Sequence, residues 1–205
     1  MRPMAHGCAP TLLALRNRPS LTTLACSASL GIPAEAVEIV DDPKLRDGMD
    51  EAWDPDRIAT HVAEHLQARQ SRAVLTFDRY GVSRHPNHIA VAAGTRIAAR
   101  ATQPKMPVWC LVTHALVVRF LGPLAIAYQL GSFRRLLAAA TAMARGRSAA
   151  FPTIAKASSG VCVVAPSSAP AWRAMAQHRS QWVWFRVLYL IASSYVWCNT
   201  FREAA

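Results

Sequence analysis

The residues best placed to do chemistry are His85 and His88, at the end of the run Leu75-Thr-Phe-Asp-Arg-Tyr-Gly-Val-Ser-Arg-His-Pro-Asn-His88. Two imidazoles three positions apart at a helix start face one side of it. Pro86 suits the first helical position, where a missing N–H costs nothing. The apolar run before them ends in Asp78, and the turn-rich Gly81-Val82-Ser83 leads into the helix. A strand end, a loop and a helix mouth are where open α/β sheets hold ligands. An imidazole there ligates a metal or moves a proton near neutral pH. The plainer reading of His88 alone is a solvent-facing helix residue.

The flanking pattern supplies elements to position the pair. Ala73–Phe77 is a short continuous apolar run, which reads as a buried parallel strand. A helix follows over His88–Arg100, and Pro104 and Pro107 break it. Upstream, Asp54 or Pro55 opens a helix to about Gln70, because Trp53, Ile58, Val62 and Leu66 recur at helical spacing. Ala36–Val40 reads as a short strand ending at Asp41-Asp42. Val108–Val118, rich in β-branched residues, is the next strand. Residues 119–160 are Ala/Arg-rich and helical in propensity. Val161–Ala165 is a short strand, Pro166–Pro170 a turn, and Ala171 to about Tyr195 a helix. Strands alternating with helices make a layered α/β sheet.

Composition narrows the function classes. A chain of 205 residues fits one domain with a sizeable core. Apolar residues at 52% and six tryptophans mark a folded protein. Cys8, Cys26, Cys110, Cys162 and Cys198 form no C-x-x-C pair, which supports neither a disulfide framework nor a structural zinc site. Reduced thiols are expected. The net charge of +11 is uneven: residues 79–205 hold fifteen bases against Glu203 alone. That half suits anionic lipid headgroups, at about 1 kcal/mol per well-placed base. An arginine-rich coding bias is the plainer explanation. No RNA-binding motif accompanies the charge, so nucleic acid is not expected as a partner. Residues 8–15 are too short for a secretory signal. Val108–Leu130, interrupted by His114, Arg119 and Gly122-Pro123, makes a poor membrane span. Gln181–Phe201 is aromatic enough to lie at a membrane interface; a buried terminal helix is the simpler expectation.

The block at residues 75–88 resembles the PIG-L/LmbE family of zinc-dependent de-N-acetylases, whose second motif is H-x-[ND]-H after a T-[FY]-D strand. Asn87 matches the eukaryotic branch, which makes glucosaminyl-phosphatidylinositol for GPI anchors. Further blocks agree in order: Ala9-Pro-Thr-Leu-Leu-Ala-Leu15, Ser29-Leu-Gly-Ile-Pro33, Asp42-Pro-Lys-Leu-Arg-Asp-Gly-Met-Asp-Glu-Ala-Trp-Asp54, and Met175-Ala-Gln-His-Arg-Ser-Gln181 with Trp184-Phe-Arg. The family's first metal motif, H-P-D-D-E, is absent, and no Asp or Glu precedes Glu35. Met4-Ala-His6 followed by Ala9-Pro-Thr reads like that region with the acidic stretch removed. The resemblance implies a single, truncated domain over residues 1–205. Its fold would be a Rossmann-like three-layer α/β arrangement with a mostly parallel sheet, missing N-terminal strands.

The resemblance also implies roles. Zinc is the cofactor; His88 is a metal ligand, and His6 stands in for the first-motif ligand. His85 is the catalytic histidine, as oxyanion stabiliser or acid–base. Asp78 either orients a histidine, contacts sugar hydroxyls or caps its loop. His178 and Gln181 either line the sugar pocket or start a helix held by Ser180. Tyr80 and Arg84 stand where eukaryotic relatives often have glycine, and crowd the sugar pocket. His61, His65 and His114 lie outside any motif and are structural. The implied activity is zinc-dependent removal of the N-acetyl group of N-acetylglucosaminyl-phosphatidylinositol (GlcNAc-PI), the second step of GPI anchor biosynthesis. It would act at the cytoplasmic face of the endoplasmic reticulum membrane, with surface contact through the basic, aromatic C-terminal half. The alternatives are a pseudoenzyme that keeps the fold as a binding partner, and a deacetylase of another N-acetylglucosaminyl compound.

Overall fold

The computed structural model of the chain describes residues 21–131, 153–157, 160–178 and 182–204. Five short strands form one sheet: β1 (Val74–Phe77), β2 (Val108–Leu111), β3 (Thr153–Ala157), β4 (Gly160–Val164) and β5 (Cys198–Glu203), in the order β1-β2-β5-β4-β3. The α/β class is as expected; the sheet direction is not. Only β1 and β2 run parallel, and the other three pairings are antiparallel. For β3 and β4 the physical reason lies in the connection. A parallel pair needs a crossover of a dozen residues or more, which β1 and β2 have, whereas Ala157 and Gly160 are too close in sequence for one.

The crossover, residues 78–107, is largely helical, and the helix that precedes β1 packs against it. α2 (Pro55–Ala68) begins as its sequence dictates, with Asp54 accepting the Asp56 amide at 3.0 Å and Pro55 in the first turn. α3 is the single turn Gly81–Arg84, and α4 spans Pro86–Ala101. α2 buries Ile58, Ala59 and Leu66, and α4 packs against it through small residues. Gly94 sets that distance: a Cβ there would stand 2.6 Å from the Pro55 carbonyl oxygen and 2.7 Å from Ile58 Cβ. β1 has a neighbour on one side only among the described residues. Its expected burial is therefore incomplete, and Leu75 is 64% exposed. A cavity of about 660 Å³ runs beside it, walled by Ile32, Leu45, Trp53 and α2.

A second core lies further along the sheet, over β4 and β5. α5 (Leu116–Arg119) and α6 (Ala125–Leu130) precede it, and Ala125, Ile126 and Leu130 bury against Cys162, Val164 and Cys198. Gln129 Oε1 accepts the Thr200 hydroxyl at 2.5 Å within that core. α1 (Leu21–Ser29) packs against α7 (Ala169–Gln177). α8 spans Trp184–Ala192.

Four expectations about these elements are not met. Ala36–Val40 is no strand; a 3-10 turn over Ala34–Ala36 leads into extended chain. Val108–Val118 divides after Leu111, because Thr113 turns to serve Asp78. The long terminal helix ends at Gln177 and a new one starts at Trp184. Nor is that terminal helix buried: Leu190 alone is enclosed, and Trp184 is 75% exposed. β3 and β5 were not foreseen. β5 hides in the sequence because Asn199, Arg202 and Glu203 dilute a pattern in which Cys198 and Thr200 are the buried positions.

One ion cluster ties the segment before α2 to that helix. Asp42 is buried, accepts from the Arg57 guanidinium, meets His61 Nε2 at 3.0 Å and accepts the Lys44 amide at 3.0 Å. The Arg57 contact, then the His61 contact, hold the carboxyl well below the usual carboxylate range. A depressed carboxyl stabilises the fold above its unfolded pKa of about 3.9 and loses that contribution as pH falls through the folded value. Asp42→Asn is therefore expected to lower Tm at pH 7. Melting curves run down into strong acid are expected to converge for the two proteins; a constant difference throughout would contradict the assignment.

Candidate active site

The site is built where β1 meets the loop after β2. Asp78 follows the last residue of β1, and its carboxylate accepts the Thr113 amide at 2.6 Å, the Thr113 hydroxyl at 2.6 Å and the Tyr80 amide at 2.9 Å. Of the roles open to it, loop capping is the one these bonds fill. Thr113 Oγ1 in turn accepts the Val82 amide at 2.9 Å. From the far side, Arg119 Nη1 donates to the Val82 carbonyl at 2.8 Å. Val82 sits at φ +63° and Arg84 at φ +64°. Such conformations cost a non-glycine residue of order 1–3 kcal/mol and persist where surrounding bonds over-determine them. Here Asp78, Thr113 and Arg119 do so. Glycine would take the conformation of Arg84 without strain.

This loop delivers the two imidazoles. Their centroids lie 5.2 Å apart, with the rings tilted by 32°. His85 is the N-cap of α4: its Nδ1 accepts the Asn87 amide at 3.2 Å. A neutral ring that accepts at Nδ1 carries its proton on Nε2, so His85 offers a donor. His88 has the opposite assignment. Its Nδ1 lies 3.1 Å from the Gly81 carbonyl oxygen, which only accepts, so the proton is on Nδ1 and Nε2 keeps a lone pair. The His88 ring stacks on Phe77 at 4.4 Å, with 11° between planes. Gly81 makes the fit possible. It sits at φ +60°, and a Cβ would fall 2.8 Å from His88 Cβ.

Sequence reasoning did not single out Asp47 or Tyr195 as contributors. Asn87 is buried and donates to Asp47 Oδ1 at 2.9 Å, which brings the Asp47-Gly48-Met49 segment to the mouth of α4. Trp53 Nε1, donating to the Arg46 carbonyl at 2.7 Å, closes that segment on itself. Beyond Thr113, His114 is partly buried beside Tyr195, whose hydroxyl accepts the His114 amide at 3.1 Å and donates to the Val112 carbonyl at 3.2 Å. Burial pushes the His114 pKa down and the Tyr195 pKa up. Tyr80, Arg84, Thr113, His114, Leu116 and Arg119 line an open cavity of about 510 Å³, which reaches the pair's loop through Arg84, the residue before His85.

Residues 9–99 match the family model described as PIG-L: GlcNAc-PI de-N-acetylase. A Bos taurus protein named N-acetylglucosaminyl-phosphatidylinositol de-N-acetylase is 33% identical over 171 residues, covering 83% of this chain and 59% of its own. A probable enzyme of the same name from Schizosaccharomyces pombe is 28% identical over 175 residues, covering 82% of this chain and 60% of its own. The chain belongs to the PIG-L family. It spans about three fifths of the length of these two relatives. No solved structure matches it.

For a PIG-L chain, the donor set decides which metal chemistry is open. Catalytic zinc takes three protein ligands and keeps a fourth position for water. Among the described residues no group of three metal-binding side chains exists. His88 Nε2 is one suitable donor; Asp78 and Asp47 are committed to Thr113, Tyr80 and Asn87. The described residues do not make a zinc centre by themselves, and their own chemistry is that of the imidazoles. His6 and Gln181 lie outside the described residues. His178 is the C-cap of α7, not a helix start, and no hydrogen bond or ring contact joins it to His85 or His88. The helix it was expected to open ends instead at Gln177, where the His178 backbone turns to ψ 64°.

Proposed function

We propose that this protein removes the acetyl group of GlcNAc-PI, in the biosynthesis of GPI anchors. The observation that carries the reading is the complementary state of the imidazole pair in a PIG-L chain: His85 offers an Nε2 proton and His88 an Nε2 lone pair. A water molecule attacks the acetamide carbonyl and gives its proton to His88 Nε2 as the new C–O bond forms. The charge gathering on the carbonyl oxygen is met by the His85 Nε2 proton. The C–N bond then breaks, His88 returns the proton to the leaving amine, and acetate departs.

In this reading the protein works at the cytoplasmic face of the endoplasmic reticulum, on a substrate whose acyl chains stay in the bilayer. Among the described residues no helix is long and apolar enough to cross a membrane. α8 offers a surface contact instead: Trp184, Phe185, Leu188, Tyr189 and Ile191 are all exposed. Gly122, near the exposed Phe120 and Leu124, packs against its Ile191 carbonyl. Replacing Trp184 and Phe185 together by glutamate is expected to weaken binding to anionic vesicles by roughly 100-fold or more, since each aromatic side chain contributes about 1.5–3 kcal/mol on burial. Vesicle co-sedimentation checks this, with an unchanged melting temperature as the control.

A second reading has its own support. The carboxylates named at the site, Asp78 and Asp47, are taken up by Thr113, Tyr80 and Asn87, which suits a binding protein that keeps the fold without turnover. Acetate release from GlcNAc-PI by the purified full chain separates the two. Release supports the enzyme; tight GlcNAc-PI binding without release supports the binding protein and refutes the first reading.

A further inference from the structure

We propose that the cavity at the imidazole pair's loop is an anion subsite that holds the phosphodiester of a lipid headgroup, with Arg119 and Arg84 as its cations. The inference rests on the reading that the substrate is a phosphoinositol glycolipid. Two of the lining side chains are guanidinium groups and none is a carboxylate. A third guanidinium is close by: Arg79 lies 4.7 Å over the Tyr80 ring and donates to the Tyr80 hydroxyl at 2.6 Å. Asp78, at the end of β1, has its oxygens engaged by the Thr113 amide and hydroxyl and the Tyr80 amide.

Arg119 is the centre of the argument. One terminal nitrogen holds the strained Val82 carbonyl, while its buried Nε has no hydrogen-bond partner. A buried donor with no partner is a costly feature, and the Arg119 side chain lines the cavity. Guanidinium groups match phosphate oxygens with paired hydrogen bonds in a way an ammonium does not. Arg84 is exposed and keeps its side chain at the rim at the cost of a left-handed backbone. A cavity of about 510 Å³ is large enough for a sugar phosphate. Its rim is also oily: Leu116 is 62% exposed, with Val117 and Phe120 exposed beside it. That combination favours a phosphodiester with an acyl tail over free phosphate.

Calorimetric titration of the full chain tests this with glycerophosphoinositol, with inorganic phosphate, and with phosphatidylcholine vesicles with and without phosphatidylinositol. Glycerophosphoinositol is expected to bind, more weakly as salt rises. Arg119→Lys is expected to weaken it roughly 10-fold or more, and Arg84→Gly several-fold. Lysine keeps a donor for the Val82 carbonyl, and glycine relieves the backbone at position 84, so both variants are expected to fold. Phosphatidylinositol vesicles are expected to bind better than phosphatidylcholine vesicles, and that difference to shrink in both variants. Unchanged glycerophosphoinositol affinity in both variants overturns the subsite; inorganic phosphate binding as tightly as the diester overturns its assignment to a lipid headgroup. The readout is independent of turnover. A chain that binds the diester through these arginines but releases no acetate keeps the subsite and loses the deacetylase reading. A chain that releases acetate while both variants bind undiminished does the reverse.

Discussion

Replacing His85 by asparagine is expected to reduce acetate release from GlcNAc-PI by roughly 100- to 1000-fold while leaving the fold intact. The size follows from what is lost, a single pre-placed donor to the carbonyl oxygen as it gains charge, and removing one such donor costs roughly that factor in other acyl-transfer sites. The fold is expected to survive because the second job of His85 is to cap α4, accepting the Asn87 amide at 3.2 Å. Asparagine is among the best residues for that position. His85→Ala removes donor and cap together, and is expected to add about 0.5–2 kcal/mol of destabilisation to the same loss of rate. The pair of variants separates chemistry from capping: rate falls in both, and Tm falls only with alanine. A His85→Asn protein with full activity would remove His85 from the reaction.

Gly81→Ala is expected to damage both stability and turnover, although residue 81 touches no substrate. Its backbone lies at φ +60°, where a Cβ costs roughly 1–2 kcal/mol. The added methyl would also stand 2.8 Å from His88 Cβ and 3.1 Å from the Ile89 nitrogen. Both belong to the first turn of α4, so neither can yield without moving the helix start. Overpacking of this kind costs roughly 1–3 kcal/mol more. The Gly81 carbonyl also fixes the proton on His88 Nδ1, so a shifted turn frees the ring to take the wrong tautomer. Chemical denaturation is expected to show a loss of about 2–5 kcal/mol, with acetate release falling further than the unfolded fraction explains. Wild-type stability in the variant would contradict the packing described.

The parts of the site that lie within a few residues of one another were legible in the sequence. Pro86 marked the first turn of α4, Asp54 and Pro55 marked that of α2, and the spacing of His85 and His88 placed both rings at one mouth. What escaped was made by residues distant in sequence. Asn87 meets Asp47, Asp78 meets Thr113, and Val82 is held by Arg119, each across more than thirty positions. Nothing local in a threonine or an arginine announces such a partner. The sheet failed for a related reason. Four-residue strands such as β1 and β2 carry no directional signal, and β5 enters between β2 and β4 from the far end of the chain. The exposure of α8 escaped because an apolar stretch reads alike whether it faces a core or a membrane surface.

His85 and His88, with ring centroids 5.2 Å apart, present one proton and one lone pair on their Nε2 atoms. Long-range nitrogen–proton correlation spectra of the full chain, labelled at histidine and assigned with His85→Asn, test it most directly. At a pH where both rings are neutral, the expected spectra show the Nε2-protonated tautomer for His85 and the Nδ1-protonated tautomer for His88. Finding the same tautomer at both rings, or the two reversed, would contradict it.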